Sequence, residues 1–384
     1  MTTFTPHSRA KLNFIIILAF VFASKGGGLG GIGGVFGRYV KTVSAFVSAA
    51  NPSSSSTAMS SSSGNTSDEC STLLPPKAIM HQQDPNLWLY HVETTTSTMD
   101  EARKIVENIT TTSDNTDTDI TTPKSFLISA ASQSRGRGTT QRNWKSSQRG
   151  NALFTIGIPQ SAWMVHLKKK NHGSMVPLTL LPLKVGSLVA HQVQRSLEEC
   201  MGQDEQSAPR VTVKWPNDVL LKQSSSTAQS SYEKVAGILI ESAKDWFIIG
   251  IGINVGYAPD IPKEGADYGR QATCISQYCN AAVDANNDVN NEEYWVEVSK
   301  KLAVDIAYNL HSWIHSTSDE NYEHSGRAIL DKWKSFLDWD MELILRDTPK
   351  RERVKLTGIM EDGRVIVKEV DTGATRTLVA DYFL

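Results

Sequence analysis

The amino-acid sequence predicts an α+β chain, and three observations carry that reading. β-Branched and apolar runs cluster between Val211 and Val255, amphipathic helical patterns stand on either side of them, and four short strand-like runs with Asp-Gly and Thr-Gly turns end the chain. At 384 residues and 40% hydrophobic, the protein can bury a sizeable core and has room for more than one folded unit. A net charge of -2 gives no case for a nucleic-acid or membrane-surface protein as a whole. Cys70, Cys200, Cys274 and Cys279 lack CxxC spacing and are too sparse for a disulfide framework, so they are expected to be reduced thiols. Cys274 and Cys279 alone do not make a zinc site, which needs four suitably spaced ligands.

The first part of the chain has its own composition. No Asp or Glu precedes Asp68, five Lys or Arg lie between Arg9 and Lys41, and Leu12 to Ala23 is an apolar run too short to span a bilayer. A glycine-rich patch follows, then Ser44-Ala45-Phe46 and the serine tract Ser53 to Ser63. The pattern reads as a targeting presequence and linker over residues 1–86. It is similar to the bipartite plastid presequences of algae with secondary plastids; mitochondrial import is second, and a cytoplasmic location stays open.

Folded structure is expected from Leu87. Trp88 to Val92 reads as a strand, and Ser97-Thr98-Met99-Asp100 as a capping box opening a helix through Ala102, Ile105 and Val106. Thr110 to Thr122 is polar and loop-like, and Phe126 to Ala131 is the next strand. Between Gln133 and Pro159 come four glycines, four arginines, Lys145 and Trp144. Backbone amides at Gly136 and Gly138 with Arg137 beside them can surround a phosphate or carboxylate, and Trp144 can stack on a ring; a solvated basic loop accounts for the same composition. Ala152 to Ile158 continues as a strand, and Pro177 to Cys200 has the apolar spacing of a helix with a buried side. Lys168 to Lys170 reads as solvated charge.

The Val211 to Val255 stretch is the centre of the reading. Val211 to Val213 and Val219 to Leu221 flank Trp-Pro-Asn-Asp, where Pro216 removes a backbone donor and Asn217 and Asp218 favour a turn. Val235 to Glu241 and Trp246 to Val255 form a hairpin around Ala243-Lys244-Asp245. Gly237, Gly250 and Gly252 weaken strands and leave no side chain to pack, so a ligand or another backbone is expected to come close there. Glycines rimmed by Lys214, Lys234, Asp218, Asn217 and Asn254 suggest a nucleotide or carboxylate site. Gln223 to Ser231 and Asp284 to Asn291 are polar insertions, and Tyr294 to Trp313 is an amphipathic helix. His311 and His315 lie one turn apart there with no third ligand nearby, which favours a structural role over metal binding. A helix near Ala328 to Leu337 precedes strands at Met341 to Leu345, Arg353 to Ile359, Arg364 to Glu369 and Thr375 to Val379, which suit a small barrel.

Five motifs, ETTTSTMDEAR, QSRGRGTTQRNW, KWPNDVLL, KVAGILIE and IGIGINV, stand in the order and approximate spacing of the biotin protein ligases, and the sequence resembles that family from about Leu87 to Leu384. The resemblance implies a central mixed β-sheet with flanking helices, the fold shared with class II aminoacyl-tRNA synthetases, over 87–325, and an SH3-like β-barrel over 326–384. It also implies a two-step reaction: biotin and ATP give biotinyl-adenylate and pyrophosphate, then the lysine of a biotin carboxyl-carrier domain displaces AMP. A lipoate or octanoate ligase of the same fold and a non-catalytic biotin-binding regulator are the alternatives. No nucleic-acid partner or stable membrane insertion is implied, and monomer and homodimer are both open.

Carried over residue by residue, the resemblance places Ser97, Thr98 and Met99 against the biotin ring and tail. Gln133, Arg137, Gly138 and Thr139 fall on the loop that closes over biotin, Trp144 meets adenine, and Asn217 and Asp218 lie near the triphosphate, with Asp218 toward Mg²⁺. Lys234 touches both the biotin carboxylate and the α-phosphate, Gly237 lies beside the ureido group, and Asn254 is on the nucleotide side. Many relatives carry a second arginine where this chain has Thr139, with Arg142 three residues on as the substitute charge. The chemistry suits these types: a carboxylate is ionised at neutral pH and needs no base, while cations offset its repulsion by the triphosphate.

Overall fold

A computed structural model describes residues 79–81, 84–113, 124–139, 142–146, 148–166, 176–201, 208–223, 231–262, 270–279, 292–316, 324–345 and 352–379. Of the presequence and linker expected over residues 1–86, the part before residue 79 lies outside the described residues, as do the Lys168 to Lys170 cluster, most of the loop ending at Thr122, the insertion between Gln223 and Ser231 and that at 284–291. Ile79–Met80 instead pairs with the strand that starts at Leu87, so ordered structure begins earlier than Leu87.

Eight strands form one mixed sheet. In chain order they are β1 (Ile79–Met80), β2 (Leu87–Thr95), β3 (Ser125–Gln133), β6 (Ala152–Pro159), β7 (Arg210–Lys214), β8 (Asp218–Gln223), β9 (Ser231–Ala243) and β10 (Trp246–Ile253), with β4 (Gly136–Arg137) and β5 (Asn143–Trp144) as a separate ribbon. Their spatial order is β1-β2-β3-β6-β10-β9-β8-β7. Among the paired strands of the described residues only β2 and β3 run parallel, and the helix α1 (Thr98–Ser113) lies between them in the chain. The expected mixed sheet with flanking helices is therefore present. The β9–β10 hairpin turns through Lys244, whose φ of 49° is the left-handed conformation such a tight turn requires.

Alternation along the strands sorts two cores. On β10, Phe247, Ile249, Ile251 and Ile253 face a large cluster that includes α2 (Leu181–Met201), α3 (Glu292–His315) and α4 (Gly326–Ser335). Trp246 and Ile248 face the other way, onto Met99, Ala102, Ile105 and Val106 of α1. Continuing that second face by twos reaches Gly250 and Gly252, where side-chain cover stops. The cleft described below begins where the small core of α1 runs out.

The C-terminal strands are β11 (Glu342–Ile344), β12 (Arg353–Ile359), β13 (Val365–Glu369) and β14 (Thr375–Leu378), paired antiparallel in that order. Among the described residues β14 does not return to β11, so this is a four-stranded antiparallel sheet and not the closed barrel expected. Val354, Leu356, Val365, Val367 and Leu378 extend the large core, and Trp215 Nε1 donates to Gly363 O at 3.0 Å. Residues 75–384 form one compact unit.

Two sequence expectations change. Cys200 and Cys279 form a disulfide across 79 residues, joining the end of α2 to the 3-10 turn Ile275–Tyr278, and only Cys274 remains a free, buried thiol among the described residues. Residue spacing carries no information about partners so far apart. Asp100 does not close a capping box: its carboxylate pairs with Arg103 at 2.8 Å, and the Thr98 amide at the head of α1 donates instead to Gln133 Oε1 at 3.2 Å. His311 Nε2 lies 2.9 Å from Asp84. Burial acts to raise the Asp84 carboxyl, but a backbone bond from Asn86 and the His311 pairing outweigh it and hold the group at about 2.

Candidate active site

The glycines expected to let a ligand or another backbone come close line the cleft, and side chains of the protein itself also approach them. A Cβ at Gly250 would lie 2.6 Å from Met99 Sδ, one at Gly252 2.4 Å from Trp144 Cε2, and one at Gly237 2.8 Å from Trp144 Cζ3. Trp144 is carried there by the β4–β5 ribbon, in which Gly136 pairs with Trp144 and Arg137 with Asn143. Its indole lies over the floor with Lys234 Nζ 5.4 Å from the ring centroid, within cation–π range. Its Nε1 is buried without a hydrogen-bond partner among the described residues.

A cleft lies between this floor, the head of α1 and the ribbon. Ser97, Thr98, Met99, Gln133, Arg137, Gly138, Thr139, Trp144, Asn217, Lys234 and Gly237 line it, eleven of the thirteen residues singled out from sequence. The other two, Asp218 and Asn254, stand behind Lys234. Asn254 is 1% exposed, and its amide donates to Thr273 O at 3.0 Å and Lys234 O at 3.4 Å. Asn217 donates from Nδ2 to Ile238 O at 2.8 Å. The two asparagines thus brace β9, Asn254 at Lys234 itself and Asn217 four residues on at Ile238.

One end of the cleft is electrostatically strong. Asp218 Oδ1 is 2.6 Å from Lys234 Nζ, and its Oδ2 is 3.4 Å from Lys214 Nζ. Burial acts to raise the Asp218 carboxyl, but attraction and hydrogen bonds from Lys234 and Lys214 outweigh it and hold the group at about 2. Lys214 behaves differently in the same pair: burial dominates and lowers it to about 8, with Asp218 opposing and Arg270 and Lys234 adding repulsion. The asymmetry has a cause, since one carboxylate serves two ammonium groups. Lys234 is the more exposed of the two, at 27% against 6%, and is the one facing the cleft.

Arg137 sits in a second charge cluster that sequence reasoning missed. Its guanidinium lies 3.1 Å from Asp100 and 3.6 Å from Glu241, and Arg103 pairs with both carboxylates. The signal was present in period two: Gly237, Leu239 and Glu241 share one face of β9. Thr139 lines the cleft, whereas Arg142 is exposed and contributes its carbonyl to Gly138 N at 2.8 Å.

The donor set is poorly matched to a protein-held metal. Among the described residues no three His, Cys, Asp or Glu side chains converge, and both oxygens of Asp218 already face lysine ammonium groups. The geometry instead offers hydrogen-bond donors at the head of α1, the Arg137 guanidinium beside Asp100 in the first turn of that helix, the Lys234 ammonium beside Asp218, and an aromatic face over the floor. Such a cleft suits an elongated ligand with a neutral polar head and an anionic tail, next to a planar ring.

Residues 104–257 match the model of the Biotin/lipoate A/B protein ligase family. The bifunctional ligase/repressor BirA of Bacillus subtilis is 32% identical over 168 residues, 42% of this chain and 42% of that protein. The biotin--[acetyl-CoA-carboxylase] ligase of Mycobacterium tuberculosis is 27% identical over 146 residues, 35% of this chain and 41% of that one. The chain thus matches about two fifths of the length of these curated relatives. A crystal structure of biotin protein ligase from Leishmania major in complex with biotin is 26% identical, covering 77% of this chain and 99% of that one at a TM-score of 0.46.

Proposed function

We propose that this chain, whose residues 104–257 match the model of the Biotin/lipoate A/B protein ligase family, is a biotin protein ligase that makes biotinyl-adenylate from biotin and ATP and passes biotin to a lysine of a carboxylase carrier domain. The observation that carries the reading is the Lys234–Asp218 pair, 2.6 Å apart, set under Trp144 on a floor of glycines. A cation beside a ring-stacking face is what the meeting of a carboxylate with an adenine nucleotide requires, and that supports the reading.

In the first step a biotin carboxylate oxygen attacks the α-phosphorus and pyrophosphate leaves. Lys234 offsets the repulsion between the two anions and the charge growing on the phosphoryl oxygens, while Asp218 holds the ammonium in place. Arg137 leaves Asp100 and Glu241 to meet the carboxylate as the ribbon closes. Magnesium, where it accompanies the triphosphate, would be held by the phosphate oxygens and would supply charge neutralisation there; Asp218, whose oxygens both face lysines, would act through Lys234. In the second step the neutral amine of the acceptor lysine attacks the acyl carbonyl and AMP leaves with the bonding pair. The C-terminal sheet is an SH3-like module in this proposal. Import into a plastid, with the mitochondrion second, is the proposal for the residues before Ile79.

The test is ATP-dependent labelling of a carboxyl-carrier domain with biotin and, in parallel, lipoate. Pyrophosphate release with biotin and a biotin mass increment on one lysine are expected, and Lys234→Ala should lower the rate at least about a hundredfold. Pyrophosphate release with lipoate alone would reassign the substrate, and equal labelling by Lys234→Ala would remove Lys234 from the mechanism.

A further inference from the structure

Thr155 lies in the middle of β6, inside the run ALFTIGIP, and is completely buried. Its cross-strand partners are Ile128 and Gly250, the latter being the first glycine of the cleft floor. A hydroxyl in such a place needs a partner, because burying it unpaired costs more than replacing it with a methyl group. The partner is Thr98 of the cleft wall: Thr155 Oγ1 donates to Thr98 Oγ1 at 2.9 Å.

The direction of this bond matters. Once Thr98 Oγ1 accepts from Thr155, its own hydrogen is left to be given elsewhere, and no other partner takes it among the described residues. Gln133 is committed in the same sense, for its Oε1 accepts from the Thr98 amide at 3.2 Å and leaves its NH₂ group as the cleft-side donor. Two side chains that could each donate or accept are thereby turned into donors at the head of α1.

We propose that Thr155 is a positioning residue that fixes Thr98 as a hydrogen-bond donor and so makes this end of the cleft selective for a ligand head with an acceptor oxygen, such as the urea carbonyl of biotin. This rests on the biotin ligase reading above. The effect runs through Thr98, since Thr155 itself reaches neither the cleft nor the reacting carboxylate. Thr155→Val keeps the shape of the side chain and removes the donor. The Thr98 hydroxyl then loses the bond that holds its oxygen in place and its own hydrogen toward the cleft, and the loss should appear in recognition of the ligand head alone.

The experiment measures binding of biotin and of 2-iminobiotin by the full chain. At neutral pH the latter carries a protonated C=NH₂⁺ where biotin has C=O, so it offers no acceptor. Thr155→Val should weaken biotin about tenfold, the order expected for one hydrogen bond. It should change 2-iminobiotin less than about twofold on the same reasoning, because that ligand does not use the donor. Thr155→Ser, which keeps the hydroxyl, should return the wild-type preference. KM for biotin in pyrophosphate release should rise with kcat unchanged. If the wild type binds no biotin, the ligase reading falls and this inference with it. If the wild type binds biotin and Thr155→Val weakens both ligands equally, or neither, the positioning role alone is overturned.

Discussion

Replacing Asp218 by asparagine tests how the charged end of the cleft is held together. The carboxyl stands at about 2 against an ordinary 3.8, which at about 1.4 kcal/mol per pH unit amounts to roughly 2 kcal/mol of folding free energy. Because its folded pKa is depressed, that contribution is complete above the unfolded value and is lost as the pH falls through the folded one. Removing the carboxylate also exposes Lys214, 6% exposed, to its neighbours Lys234 and Arg270 without compensation. Cutting one partner from a buried pair costs about 3–5 kcal/mol when the survivor stays charged. Lys214 limits that cost, since it already titrates near 8 and can shed its proton once Asp218 is gone. Asp218→Asn should therefore lose about 2–3 kcal/mol at neutral pH, between the bare pair term and the full penalty. Its stability should then rise with pH starting below neutrality, because the unfolded chain keeps the Lys214 proton that the folded chain has released. In the wild type the same rise begins near pH 8. Urea unfolding from mildly acid to mildly alkaline pH reads both quantities, and adding Lys214→Met to the Asp218→Asn variant should recover most of the loss. A variant with wild-type stability and a wild-type pH profile would refute the reasoning.

Three further outcomes are expected. Gly252→Ala places a methyl group about where Trp144 Cε2 now lies, 2.4 Å from the new Cβ, so the indole must leave the floor; the KM for ATP should rise at least about tenfold with little change in melting temperature, because the ribbon can move without opening the core. Thr139→Arg adds a cation to the cleft wall and should slow dissociation of biotinyl-adenylate from the enzyme, measured by a chase with unlabelled biotin; an unchanged off-rate would mean that residue 139 does not reach the adenylate. Cys200→Ser with Cys279→Ser opens a loop of 79 residues and should cost about 2–4 kcal/mol, matched by the wild type in reductant, as read by denaturant unfolding.

What could be seen in the sequence and what could not follows from the range of the interactions concerned. Alternation and helical spacing are local, so the hairpin through Lys244, the strands beside Asn217-Asp218 and the helices α1 to α4 were legible within a few residues of their ends. The glycines of β9 and β10 were legible as an opening, but not as one filled by Met99 and Trp144, which arrive from other parts of the chain. Closure of the C-terminal strands depends on which edges pair, and alternation says nothing of edges. The Cys200–Cys279 bond, the pairing of Arg137 with Asp100 and Glu241, and the Thr155 to Thr98 contact are all non-local in sequence. Each hid in a stretch that local reasoning had already explained: Asp100 as a cap, Glu241 as a strand end, Thr155 as one more β-branched residue in a core run.

These hidden contacts share a physical role. Lys234, Arg137 and Thr98 face the cleft, whereas Asp218, Glu241 and Thr155 determine where those groups sit and which way they point. A ligand carboxylate must compete with Asp218 for Lys234 and with Asp100 and Glu241 for Arg137, so each cation is held ready and partly neutralised before the ligand arrives. Two unpaired cations facing one small cleft would repel each other and cost folding free energy that a domain of this size can ill spare. Carboxylates behind them keep the folded state stable while leaving positive charge to be redirected when an anion of better geometry enters. On this argument Glu241→Gln should raise affinity for a carboxylate ligand while lowering the stability of the free protein, two changes of opposite sense that a single melt with and without biotin separates.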